Sequence, residues 1–168
     1  MKMSIKLLSL FILFIILLGI GIGCGPYSFS GSTIPAHIKT VSIPLFEDKT
    51  AEFGVDQKIT DAITQVLEQD NTLKVADVRQ SDSMIKGTIL RVEDQAGQYD
   101  RQETVSDYKI KITVKVAFED IKNQKVLWEE TLTQEGTYNE TDTDRDAGID
   151  EAIEKLKTDI FNRTVSGW

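Results

Sequence analysis

The chain has one cysteine, Cys24, and one histidine, His37, in 168 residues. A lone cysteine excludes an internal disulfide, and no paired His or Cys spacing of a zinc site can be assembled. No G-x-S-x-G turn is present, and His37 sits just past a Gly-, Ser- and Pro-rich stretch, where it reads as an exposed linker residue. A hydrolase would need a nucleophile beside a base, and that pair is missing, so the chain is read as a non-enzyme. Positive charge is scarce as well: 19 Lys and Arg stand against 27 Asp and Glu, a formal net charge of −8. General nucleic-acid binding needs a net basic face, so that partner class is excluded. No internal repeat is visible.

What is present begins with an apolar run. Lys2 and Lys6 precede Leu7 to Ile22, which carries no charge. A basic start, an apolar stretch and small residues have the form of a secretory signal. A transmembrane anchor is the rival, but it needs about 20 apolar residues. The run also ends in Gly-Ile-Gly-Ile-Gly (19–23), and glycine weakens a helix by about 1 kcal/mol relative to alanine. For Cys24 a buried small hydrophobe is the ordinary role, although the Gly-Pro-Tyr-Ser that follows does not read as core. The other reading is lipid attachment. Gly23-Cys24 and Ile22 resemble the end of a bacterial lipoprotein signal, with Gly21 departing from the leucine usual three residues before the cysteine. The resemblance implies cleavage after Gly23 and acyl chains on Cys24, each buried CH₂ adding about 0.8 kcal/mol of membrane affinity. Gly25, in place of aspartate, implies the outer membrane by the enterobacterial sorting rule. The expected organisation is a signal at 1–23, a lipidated tether at 24–36 and a single domain at 37–168. The mature chain would carry 17 basic and 27 acidic residues, a charge of −10.

Within the domain, period decides the elements. Lys39 to Phe46 reads as a strand with Val41, Ile43 and Leu45 on one face; Pro44 confines it to an edge or a bulge. Val55, Ile59, Ala62, Ile63, Val66 and Leu67 form one stripe of a helix over Val55 to Gln69. Short strands are expected at Leu73 to Val78 and Met84 to Glu93, the second with Gly87 at a bulge or a close neighbour. In Ser106 to Asp120, Tyr108, Ile110, Ile112, Val114, Val116 and Phe118 recur at strict period two, which fits a half-buried strand. A turn at Ile121 to Lys125 returns the chain through Val126 to Tyr138, with Trp128 and Leu132 on one face. A last helix, Glu151 to Val165, has Ile149, Ala152, Ile153, Leu156 and Ile160 as its stripe. The expected class is α+β, with two amphipathic helices on one face of a roughly four-stranded, mixed but mostly antiparallel sheet.

Two side-chain groups invite a binding role. Asp142, Asp144 and Asp146 have the start of a calcium loop, but the sixth and twelfth positions are Ala147 and Ile153 instead of Gly and Glu. A solvated loop with a helix N-cap accounts for them better, and no metal is expected. Lys109, Lys111 and Lys115 alternate along one strand face, about 7 Å apart at two-residue spacing. Arg91 and Lys86 lie on the preceding strand, on opposite faces by parity. Such a stripe reads either as an ordinary wet sheet face or as a holder of an anion such as a lipid phosphate.

Five segments then appear together: Cys24-Gly-Pro-Tyr-Ser-Phe29, TVSIPLFEDKT (40–50), SDSMIKGTILRVED (81–94), the alternating hairpin with VLWEET (126–131), and AIEKLKTDIFNRTVSGW (152–168). In order and spacing they resemble the LptE family of lipopolysaccharide-assembly lipoproteins. The resemblance implies two helices on a four-stranded mixed sheet, no catalysis and no cofactor beyond the lipid on Cys24. It implies an outer-membrane location, an LptD-type β-barrel as partner and lipopolysaccharide as ligand. Arg91, Lys109, Lys111 and Lys115 are the candidate anion contacts from the strand pattern. A free-standing envelope lipoprotein, serving as a binding or scaffold module for another machine, is the competing role.

Overall fold

Tyr108–Asp120 forms the central strand its alternation requires: Ile110, Ile112, Val114, Val116 and Phe118 are all buried on one face. Burial of each such side chain is worth roughly 1.5–3 kcal/mol. In this computed structural model the described residues are 34–97, 107–139 and 144–166. The signal at 1–23, Cys24, the tether up to residue 33 and Asp142 lie outside them. The elements in chain order are β1 (Thr40–Ser42), β2 (Glu47–Asp48), α1 (Val55–Asp70), β3 (Lys74–Val75), β4 (Ser83–Ala96), β5 (Tyr108–Asp120), β6 (Lys125–Tyr138) and α2 (Arg145–Val165).

The sheet runs β3-β1-β4-β5-β6, with β2 also paired to β4. β4, β5 and β6 are antiparallel neighbours, whereas β1 and β2 pair parallel to β4. The class is the α+β arrangement expected, with six strands in place of roughly four. The extra strands are short. Of the predicted strand Lys39 to Phe46 only Thr40–Ser42 forms, as β1, stopping short of Pro44, which has no N–H for the ladder; β2 lies just beyond the predicted end, at Glu47–Asp48. Leu45, expected on the buried face, is 56% exposed, while Phe46 turns inward and its N–H donates to Thr60 Oγ1. The predicted strand Leu73 to Val78 shortens to two residues, although Leu73 is buried. Gly87 marks a close neighbour: a Cβ there would sit 1.9 Å from the Phe46 ring.

Both helices bury their predicted stripes, except that Ala62 and Val66 of α1 are only half-buried against the core. Val55, Ile59, Ile63 and Leu67 of α1 and Ile149, Ala152, Ile153, Leu156 and Ile160 of α2 join one core with β5, Ile85, Ile89 and Val41. α1 ends at Asn71, in the left-handed region at φ 59°, with its N–H on Leu67 O. α2 starts at Arg145, a turn and a half earlier than the apolar stripe alone suggests. Asp144 caps it, its carboxylate accepting from Ala147 N at 2.9 Å, and Asp146 lies in its first turn.

Candidate functional site

Among the described residues the helices cover one sheet face and leave the other open. Register places Lys109, Lys111, Thr113 and Lys115 of β5 on that open face. From β4 they are flanked by Gln95, Glu93, Arg91 and Thr88, and from β6 by Thr137, Glu135, Thr133 and Thr131. One irregularity completes the array. β4 pairs Ile89 with Val114 and then Arg91 with Thr113, so Leu90 is an extra, bulged residue. The bulge reverses parity along β4. Lys86, before it, and Arg91, after it, both face the open side, correcting the expectation that they occupy opposite faces.

The open face therefore gathers Lys86, Arg91, Lys109, Lys111 and Lys115. Each has a carboxylate partner: Lys86 with Glu119 at 2.8 Å, Arg91 with Glu93 at 3.8 Å, and Lys115 with Glu129 at 2.9 Å. Lys111 and Lys109 share Glu135, at 3.0 and 3.3 Å. Hydrogen bonds from Lys111 and then Lys109 hold the Glu135 carboxyl below its ordinary range. This is the one point of the array where two ammonium groups converge on a single carboxylate, leaving a local excess of positive charge. Such a grid is wet, and pairs this exposed add little stability. An anion bearing two charges can bridge Lys109 and Lys111 in competition with Glu135.

Two further polar clusters sit outside the array. His37, expected to be an exposed linker residue, is exposed but not free: its Nε2 lies 2.7 Å from Asp120 Oδ2. Asn123 donates to the same carboxylate at 2.8 Å, and Asp120 is only 2% exposed. Burial pushes the Asp120 carboxyl up, but the backbone and side-chain donors of Asn123, with His37, outweigh it and the net shift is downward. Nearby, Asp82 binds Lys122 at 2.5 Å and accepts from the backbone N–H groups of Lys39 and Thr40 at 2.8 and 3.0 Å. The second cluster centres on Arg145. Its guanidinium holds Glu52 in a fork at 2.6 and 2.8 Å and reaches Asp94 at 3.0 Å. Tyr138 donates to Asp94 at 2.9 Å and stacks on Tyr108 with ring centroids 5.3 Å apart. Sequence patterning does not expose these clusters, because Arg145 and Glu52 are 93 residues apart and His37 and Asp120 are 83 apart.

Among the described residues no group of three or more His, Cys, Asp or Glu is placed to hold a metal ion. No helix among them is long and apolar enough to cross a membrane.

Comparison with solved structures gives the same fold at low sequence identity. A hypothetical protein from Chlamydia trachomatis superposes with a TM-score of 0.56 at 13% identity, over 74% of this chain and 94% of that one. A protein from Xanthomonas campestris gives 0.57 at 14%, over 78% and 88%. A minor lipoprotein from Acinetobacter baumannii gives 0.50 at 16%, over 75% and 91%. A search of curated proteins finds no match. The family model for LptE, described as lipopolysaccharide-assembly, matches residues 38–164. That match spans every element of the domain from β1 to the last turn of α2, and the chain belongs to the LptE lipopolysaccharide-assembly family.

Proposed function

We propose that this protein is anchored through a lipid on Cys24 in the outer membrane, supports an LptD-type β-barrel, and helps place lipopolysaccharide in the outer leaflet. The observation that carries the reading is the family match over the whole domain, 38–164. The open face supplies a compatible chemistry: Lys109 and Lys111 around Glu135 offer a lipid phosphate two ammonium groups at the cost of displacing one carboxylate. Arg91, Lys115 and Lys86 extend the same face. The role is non-enzymatic, since binding and placement need no bond to be made or broken.

A plug inside a barrel meets a polar lumen, so it needs no large apolar patch. The large exposed hydrophobics among the described residues are four, Leu45, Phe53, Val78 and Val126. That surface is also what a free-standing envelope module would carry, and it favours a protein that is well behaved on its own. The two roles separate in a mild-detergent pull-down from the native envelope through a C-terminal tag, with bound proteins identified by mass. A stoichiometric large β-barrel is expected, retained or weakened but not abolished in Cys24→Ala, which removes anchoring alone. Recovery of the protein without a barrel sinks the plug reading and leaves the free-standing module.

A further inference from the structure

Five strands meet in one row at one end of the sheet. Lys74 of β3 pairs with Thr40 of β1, and Val41 of β1 pairs with Ser83 of β4. Ser83 also pairs with Asp120 of β5, and Asp120 pairs with Lys125 of β6. At about 4.8 Å between strands the row is about 19 Å wide. Residues 76–82 and the turn 121–124 lie at the same end, joined by the Ile121 N–H on the Asp82 carbonyl at 2.9 Å.

Charge is sorted towards this end. Among the described residues every lysine and arginine has an ion-pair partner except Lys39, Lys74, Arg79 and Lys125. All four are exposed, and all four lie in this row or in the loop beside it. Two carboxylates here are turned inward, Asp82 at 8% and Asp120 at 2% exposed. The exposed ones are Asp70, which accepts from the Thr72 N–H, Asp77, and Glu68 in the last turn of α1. Val78 and Val126, each 49% exposed, adjoin Arg79 and Lys125 in the chain. In a protein of net charge −8, this end is locally cationic.

The course of the chain says what covers it. The first described residues enter the domain at this end, where His37 meets Asp120. Cys24 lies ten residues before Ile34, and ten extended residues span at most about 36 Å. Strand β6 alone, at 14 residues, runs about 46 Å. A lipid on Cys24 therefore keeps this end, and not the far one, nearest the headgroups.

We propose that this end of the domain seats on a bilayer surface of anionic phospholipid through Lys39, Lys74, Arg79 and Lys125, with Val78 and Val126 at the headgroup boundary. The proposal rests on lipid attachment at Cys24 and not on a barrel partner. Each lysine or arginine held near an anionic bilayer strengthens attachment by about fivefold. A lipid anchor and a basic cluster act together, as two membrane signals do. The acidic remainder of the domain is repelled by the same surface, which sets the orientation.

The test places the full lipidated chain in nanodiscs of phosphatidylcholine, with and without phosphatidylglycerol, and follows amide hydrogen exchange. The anchor is common to both discs, so a difference reports the surface and not the tether. Expected is slower exchange across 74–80 and 121–126 in the phosphatidylglycerol discs, by about fivefold or more. This protection fades as salt screens the surface. Lys39→Gln, Lys74→Gln, Arg79→Gln and Lys125→Gln together remove it, whereas Lys49→Gln with Lys58→Gln leaves it. Should the fourfold variant fail to fold, the lipid and salt comparisons on the unaltered protein decide alone. Equal exchange in the two lipids, with the protein bound to both discs, overturns the proposal and leaves the anchor standing. So does protection confined to Lys109–Lys115, which puts the anion contact on the open face. Protection at this end only after solubilised envelope protein is added also overturns it, since the occupant is then a polypeptide. Protein that enters neither disc contradicts the lipid on Cys24, and the proposal falls with it.

Discussion

Gly136 of β6 lies under α2 with no room for a side chain. A Cβ built there would stand 1.8 Å from the carbonyl oxygen of Gly148, 2.7 Å from its carbon and 3.0 Å from the N of Ala152. All three atoms belong to helix backbone, so no rotamer change relieves the overlap. Ordinary contact distances of about 3.5 Å require α2 to withdraw by more than about 1 Å at this point. The residues that would lose contact, Ile149, Ala152 and Ile153, are at most 4% exposed. Overpacking of this kind costs about 1–3 kcal/mol. The usual gain from replacing glycine by alanine in the unfolded chain offsets about 0.4–1 kcal/mol. Gly136→Ala is therefore expected to destabilise by about 1–1.5 kcal/mol, lowering the thermal midpoint by about 4–8 °C for a domain of this size. Circular dichroism melting with urea titration at fixed temperature measures it. Gly54→Ala is the comparison: no atom lies within 4 Å, but φ is +82°. It should cost only the left-handed penalty of about 1 kcal/mol. An unchanged or raised midpoint for Gly136→Ala would refute the close helix–strand approach and with it the α2 packing described above.

Three other outcomes follow from the polar clusters. Asp82 is held well below the usual carboxylate range by Lys122 and then by the Lys39 N–H. Its contribution is present above the unfolded pKa of about 3.9 and is lost as pH falls through the folded value. Asp82→Asn should lower stability at pH 7 and flatten the acid limb of the stability–pH profile; an identical acid limb contradicts this. Arg145→Lys keeps the charge but loses the fork on Glu52 and the reach to Asp94, so a loss of about 1 kcal/mol is expected in urea unfolding, given partial exposure. No change would mean the fork is idle. Lys109→Ala with Lys111→Ala should weaken lipopolysaccharide binding about tenfold and reduce its salt dependence, whereas Glu135→Gln, which removes the competing carboxylate, should strengthen it. Affinity unmoved by either change removes these lysines from the site.

Much of this architecture is written locally. Strict alternation from Tyr108 to Phe118 admits only a half-buried strand, because side chains two apart share a face. The stripes of α1 and α2 sit at helical spacing for the same geometric reason; Pro44, which lacks an N–H, marks where β1 stops, but not an edge, since β1 lies between β3 and β4. Asp144 has the chemistry of an N-cap in sequence, although the length of α2 depends on where that cap falls. The lipidation expectation at Cys24 also rests on local order, a small residue and a cysteine after an apolar run. Tertiary structure decided the rest. The bulge at Leu90 is not marked by any glycine or proline, yet it turns Lys86 and Arg91 onto one face, because parity is a property of pairing and not of the strand alone. His37 found Asp120, and Arg145 found Glu52 and Asp94, across separations that no periodicity spans. Which lysines converge on Glu135 is a consequence of register and packing that only the folded chain defines.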